Sequence, residues 1–71
     1  MLSFAEKITI ILQRRNMTQG DLAALLGTTR NNISNKLKRN NFSERDMVKY
    51  TEALGCTYSI QITMNDTNEV L

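Results

Sequence analysis

Apolar residues up to Leu54 recur at intervals of three and four: Phe4, Ile8, Ile11 and Leu12, then Leu22, Ala23, Leu25 and Leu26, then Ile33 and Leu37, then Met47, Tyr50, Thr51 and Leu54. That spacing lines one face of a helix in each segment. Each set follows a hydroxyl residue that stands three positions before a group able to return its hydrogen bond: Ser3 before Glu6, Thr18 before Asp21, Thr29 before Asn32 and Ser43 before Asp46. These are capping-box spacings, with Asn32 the poorest partner of the four. Met17 with Leu22, and Phe42 with Met47, stand at the positions of a hydrophobic staple. Gly55 follows the last set and can take the left-handed conformation past a helix end. The pattern predicts helices over 4–15, 19–26, 30–38 and 44–54.

At Cys56 the period changes. Tyr58, Ile60, Ile62 and Met64 alternate with Thr57, Ser59, Gln61 and Thr63, which predicts a strand over 56–64 with one apolar face. No second strand is evident in the chain, and an unpaired strand leaves its backbone groups unsatisfied. The expected partner is the same strand of another copy, paired antiparallel about a two-fold axis. The expected dimer interface is Tyr58, Ile60, Ile62 and Met64, joined by Ile10, which lies off the main stripe of the first helix. Residues 65–71 are expected as a frayed tail, after a helical domain over 1–55 and the dimerisation strand over 56–64.

The 71 residues suit one domain, and a domain of this size buries only about 60% of its unfolded surface. The apolar stretch from Phe4 to Leu12 is broken by Glu6 and Lys7, so neither a signal peptide nor a membrane span is expected. The one cysteine, Cys56, cannot form an internal disulfide, and the absence of histidine removes the ordinary zinc arrangements. Cys56 reads as a reduced, half-buried apolar residue, and the protein as cytoplasmic, with no cofactor, metal or small-molecule ligand implied. Without histidine or a persuasive carboxylate pair an enzyme is the least favoured class. Glu44 and Asp46 are explained by the helix start they occupy.

Net charge is only +2, but it is unevenly placed. Arg30, Lys36, Lys38 and Arg39 share residues 30–39 with no acid, whereas the chain after Gly55 has only Asp66 and Glu69 as charged residues. One face is thereby suited to a polyanion. Helices two and three are joined by Gly27, Thr28 and Thr29, a link that allows only a tight turn. On the third helix Ile33 and Leu37 point inward, while Arg30, Asn31, Ser34, Asn35 and Lys38 share a wholly polar arc.

The segment TQGDLAALLGTTRNNISNKLKR, residues 18–39, resembles the helix-turn-helix of the phage Cro and repressor family, also called the xenobiotic-response-element family. The resemblance implies an all-α fold, a compact four-helix lambda-repressor-like DNA-binding domain. It implies that Arg30, Asn31 and Asn35 read bases, with Thr29 offering a methyl group. Their chemistry agrees, since arginine spans guanine O6 and N7 and asparagine spans adenine N6 and N7. Gln19 is implied as a phosphate ligand at the start of helix two. Asn32, Lys36, Lys38, Arg39 and Asn40 flank the arc and suit phosphates, which position without specifying sequence. Relative to the family pattern the second anchor is displaced, because Lys36 stands where an apolar residue is usual and Leu37 follows. The expected function is a DNA-binding regulator, acting as a dimeric repressor. The alternative is a protein-binding module, such as an antitoxin or partner subunit, using the same fold as a scaffold.

Overall fold

In a computed structural model describing residues 1–71, the chain forms α1 (Phe4–Arg14), α2 (Gln19–Leu26), α3 (Arg30–Arg39) and α4 (Glu44–Ala53). A short hairpin of β1 (Thr63–Met64) and β2 (Glu69–Val70) follows. All four helices begin where their caps predict. Ser3 Oγ accepts from the Glu6 N–H at 3.2 Å while the Ser3 N–H donates to Glu6 Oε1 at 2.9 Å. The same reciprocal pairing joins Thr18 with Asp21 and Ser43 with Asp46. At α3 only half of it forms: Thr29 accepts from the Asn32 N–H at 3.1 Å, but the Asn32 amide donates to the Thr28 hydroxyl at 2.7 Å.

Helix ends follow a rule that was only partly visible in the sequence. Asn16, Gly27, Asn40 and Gly55 all have left-handed backbones, at φ 53°, 69°, 49° and 71°. A side chain is strained there unless it is absent or, as in asparagine, short and able to bond locally. Asn40 does more than turn the chain. Its Oδ1 accepts from the Ala5 N–H at 3.2 Å, tying the end of α3 to an otherwise unpaired amide in the first turn of α1.

The core is drawn from every helix: Ile8 and Leu12, Leu22 and Ala23, Ile33, and Tyr50 with Leu54. Ile8, Leu22 and Ile33 are wholly enclosed. Burial of each such aliphatic side chain contributes about 1.5–3 kcal/mol. Phe42 closes one end, with its ring 4.8 Å from Phe4 and 5.3 Å from Tyr50, both edge-on. Leu25, counted with the apolar stripe of α2, is instead 58% exposed. Leu22, Ala23 and Leu26 already supply the inner face.

Beyond Gly55 the structure corrects the expected strand. Cys56 to Ser59 run irregularly beside Phe4, Lys7, Ile8 and Ile11, so Tyr58 borders α1 and is no part of a ladder. Pairing begins at Ile62, which bonds to Leu71, and β1 then runs against β2 of the same chain, Thr63 opposite Val70 and Met64 opposite Glu69. Residues 65–71 are thus a turn and a returning strand, not a frayed tail. The Asn68 N–H donates to the Met64 carbonyl at 2.7 Å, and Asn68 takes a left-handed backbone at φ 59°. Closing so short a loop costs little entropy, which favours pairing within the chain. The radius of gyration of 14.0 Å exceeds the roughly 11 Å expected of a compact chain this long. The hairpin stands out from the helical body as an arm. No helix is long and apolar enough to cross a membrane.

Replacing Asn40 with alanine should lower unfolding free energy by about 1–2 kcal/mol, through a strained backbone and a lost hydrogen bond. Asn40→Gly should lose less, because glycine tolerates the positive φ. Chemical denaturation of the two variants measures the difference, and equal losses would exclude the backbone as a source.

Candidate nucleic-acid interface

The turn between α2 and α3 is built by its hydrogen bonds. Past Leu26 the chain reverses at Gly27, whose N–H reaches the Ala24 carbonyl at 3.3 Å while the Thr28 N–H reaches that of Ala23 at 2.9 Å. This double closure satisfies two carbonyls left open at the end of α2. Thr29 then caps α3, and Ile33 enters the core four residues later. Leu37, half-buried, packs against the same core one turn on. The second anchor is therefore Leu37, and the position before it is free to be charged.

Fixing these two residues inward determines what faces out. Arg30, Asn31, Asn35, Lys38 and Arg39 are exposed, and Ser34 is partly so. Thr29 is exposed at the start of the helix, and Gln19 stands half-buried as the first residue of α2, directly after its cap Thr18. Asn32, Asn35, Lys36, Arg39 and Asn41 line a cleft with no apolar wall. Asn41 lies outside the expected set, although it continues the polar run from Lys38.

Three of the flanking residues already hold partners within the chain. The Asn32 amide is bonded to Thr28, Asn40 to Ala5, and Lys36 Nζ to Asp46 Oδ2 at 2.8 Å. The hydrogen bond from Lys36, with a further one from the Ser43 N–H, holds the Asp46 carboxyl below its ordinary value. The same contact raises the Lys36 ammonium. Asp46 therefore serves two elements at once, capping α4 and holding the side of α3. Sequence spacing gave no sign of this pair, because it joins different helices.

Dipole and charge act together on this face. The last turn of α3 holds Lys36, Lys38 and Arg39, and its first turn holds no acid. Cations favour a helix C-terminus, but Arg30, at the opposite end, has no such compensation. With Lys36 paired, the exposed cations of α3 are Arg30, Lys38 and Arg39.

A helix-turn-helix domain family model matches residues 2–63, nearly the whole chain. The chain belongs to this helix-turn-helix family, and that assignment points to a DNA-binding regulator. Comparison with curated proteins and with solved structures returns no match.

Because the folded Asp46 carboxyl is more acidic than the unfolded one, its stabilisation is present above the unfolded value and is lost as pH falls through the folded value. Glu6 shifts in the same direction through the backbone N–H and side chain of Ser3. Stability should therefore decline below about pH 4, and Asp46→Asn should remove part of that decline. Denaturant midpoints near neutrality and at about pH 3 should show the parent and Asp46→Asn curves converging in acid. A gap of constant size would mean that the carboxylate is not its source.

Proposed function

We propose that this protein is a sequence-specific regulator of transcription that binds double-stranded DNA in the cytoplasm with α3 in the major groove. The observation that carries the reading is the outer arc of α3, polar throughout with a cation at each end and held by Ile33 and Leu37 behind a tight turn from α2. A helix presented in this way matches the docking geometry of helix-turn-helix proteins. The resemblance of residues 18–39 to the Cro and repressor family supports the same placement.

Within that arc Arg30 is the guanine reader, Asn31 and Asn35 are suited to adenine, and Thr29 adds a methyl contact to thymine. Gln19 would hold a phosphate at the start of α2, where free N–H groups and the helix dipole favour an anion. Lys38 and Arg39 are the main phosphate contacts beyond it. Asn32, Lys36 and Asn40 flank them, each contributing where its bond within the chain can be shared or exchanged. A dimer would set two such helices in successive major grooves of a two-fold symmetric operator, about 34 Å apart. Repression would follow from occupying the DNA.

Arg30→Ala or Asn31→Ala should cost about 1–3 kcal/mol in binding and relax preference at one base pair per half-site, whereas Lys38→Ala should weaken all duplexes alike. Titrations of variant sites measure this, and a uniform loss at Arg30 would remove its base-reading role. With about eight phosphate contacts in the dimer, log affinity should fall against log salt with a slope of about −7. A flat response would exclude DNA as the main partner.

A further inference from the structure

Apart from Met1 and Leu25, the large apolar side chains left exposed gather at two places: Ile60, Ile62, Met64, Val70 and Leu71 along the hairpin arm, and Leu2 beside α1. Backbone pairing sorts those on the arm. Ile62 and Leu71 exchange hydrogen bonds of 2.8 and 3.4 Å, and Met64 stands opposite Glu69. Side chains alternate along a strand and directly opposed residues share a face. Ile62, Met64, Leu71 and Glu69 therefore occupy one face, with Thr63 and Val70 on the other. The first face is apolar with one carboxylate.

The complementary surface lies on α1. Leu2, Lys7, Ile10, Ile11 and Arg14 line an open groove with an apolar floor and a cationic rim. Glu6 lies to the other side of Ile10 and turns its carboxylate to the Ser3 N–H. The arm has no cation of its own, since no lysine or arginine follows Lys49, and it carries Asp66 and Glu69. Apolar surface and opposite charge thus match between arm and groove.

The arm does not occupy the groove of its own chain, because every residue from Ser59 to Leu71 is exposed. Its strands already pair with each other over Ile62–Met64 and Glu69–Leu71, leaving their outer edges and one apolar face open, and a two-stranded hairpin is marginal in water until such a face packs on something. We propose that this face docks into the α1 groove of a second copy, reciprocally, so that two chains exchange arms about a two-fold axis. The proposal rests on the dimer reading above and replaces strand-to-strand pairing with arm-on-helix packing. It also gives Ile10 its place, as the floor of the groove that receives the partner's arm.

The test uses full-length chains in which Cys56→Ser leaves no native thiol. Chains carrying Ile10→Cys are mixed with chains carrying Ile62→Cys, oxidised gently and separated by mass, and the experiment is repeated with Met64→Cys in place of Ile62→Cys. Arm exchange gives the mixed disulfide as the main product, and a chain carrying both cysteines gives dimers. Disulfides joining position 62 to position 62 would overturn it in favour of a strand ribbon, and a disulfide closed within one chain would overturn it in favour of folding back. Sedimentation of the unaltered protein separates the two levels: a monomer at every concentration would remove both the dimer and the exchange, while DNA titration of that monomer would still report on α3.

Discussion

Ile33 is the only fully enclosed side chain of α3, and the placement of that helix begins with it. Burying one isoleucine contributes about 1.5–3 kcal/mol, whereas fixing the backbone of each residue costs about 1–2 kcal/mol. A ten-residue helix held by a single enclosed anchor must therefore be secured elsewhere. Its hydrogen bonds and its ends supply this. Gly27 and the Thr29 cap set its start, Leu37 adds a second apolar contact, Asp46 holds Lys36 from α4, and Asn40 reaches the first turn of α1. With its fastening concentrated in those groups, the outer arc of Arg30, Asn31, Ser34, Asn35 and Lys38 is not needed to anchor the helix to the core and is free to be polar.

Most of the helical architecture was legible because its signals are local. A cap and its partner lie three residues apart, so Ser3, Thr18, Thr29 and Ser43 announced all four starts. Glycine marks two of the four ends, and asparagine, the next most tolerant of a left-handed backbone, marks the other two at Asn16 and Asn40, where the residue type alone is a weaker signal. The hairpin is hidden for a related reason: alternation from Tyr58 to Met64 gives the pattern of one long strand, and the returning pair Glu69–Val70 is too short to show a period of its own. The run Asn65-Asp66-Thr67-Asn68 was the available signal, since asparagine and aspartate favour turns and their side chains bond to nearby backbone.

The candidate site divides in the same way. Arg30, Asn31, Asn35 and Lys38 are exposed where helical periodicity put them, since one inward residue fixes the rest. The pairing of Lys36 with Asp46 and of Asn40 with Ala5 could not be read from spacing, because each contact joins separate helices. Those bonds sharpen the site. They leave Lys38 and Arg39 as the unpaired cations at the end of the proposed reading helix and give Asn32, Lys36 and Asn40 a part in holding α3 in place. Apart from Met1 and Leu25, the large apolar side chains left exposed lie on the arm and beside α1.

The most direct test of α3 as the reading element is selection of bound duplexes from random DNA at fixed salt, using the full chain. A dimer that reads bases through α3 should enrich a two-fold symmetric site whose half-site centres lie about 10 base pairs apart, one helical turn. Bound duplexes with no shared sequence would contradict it.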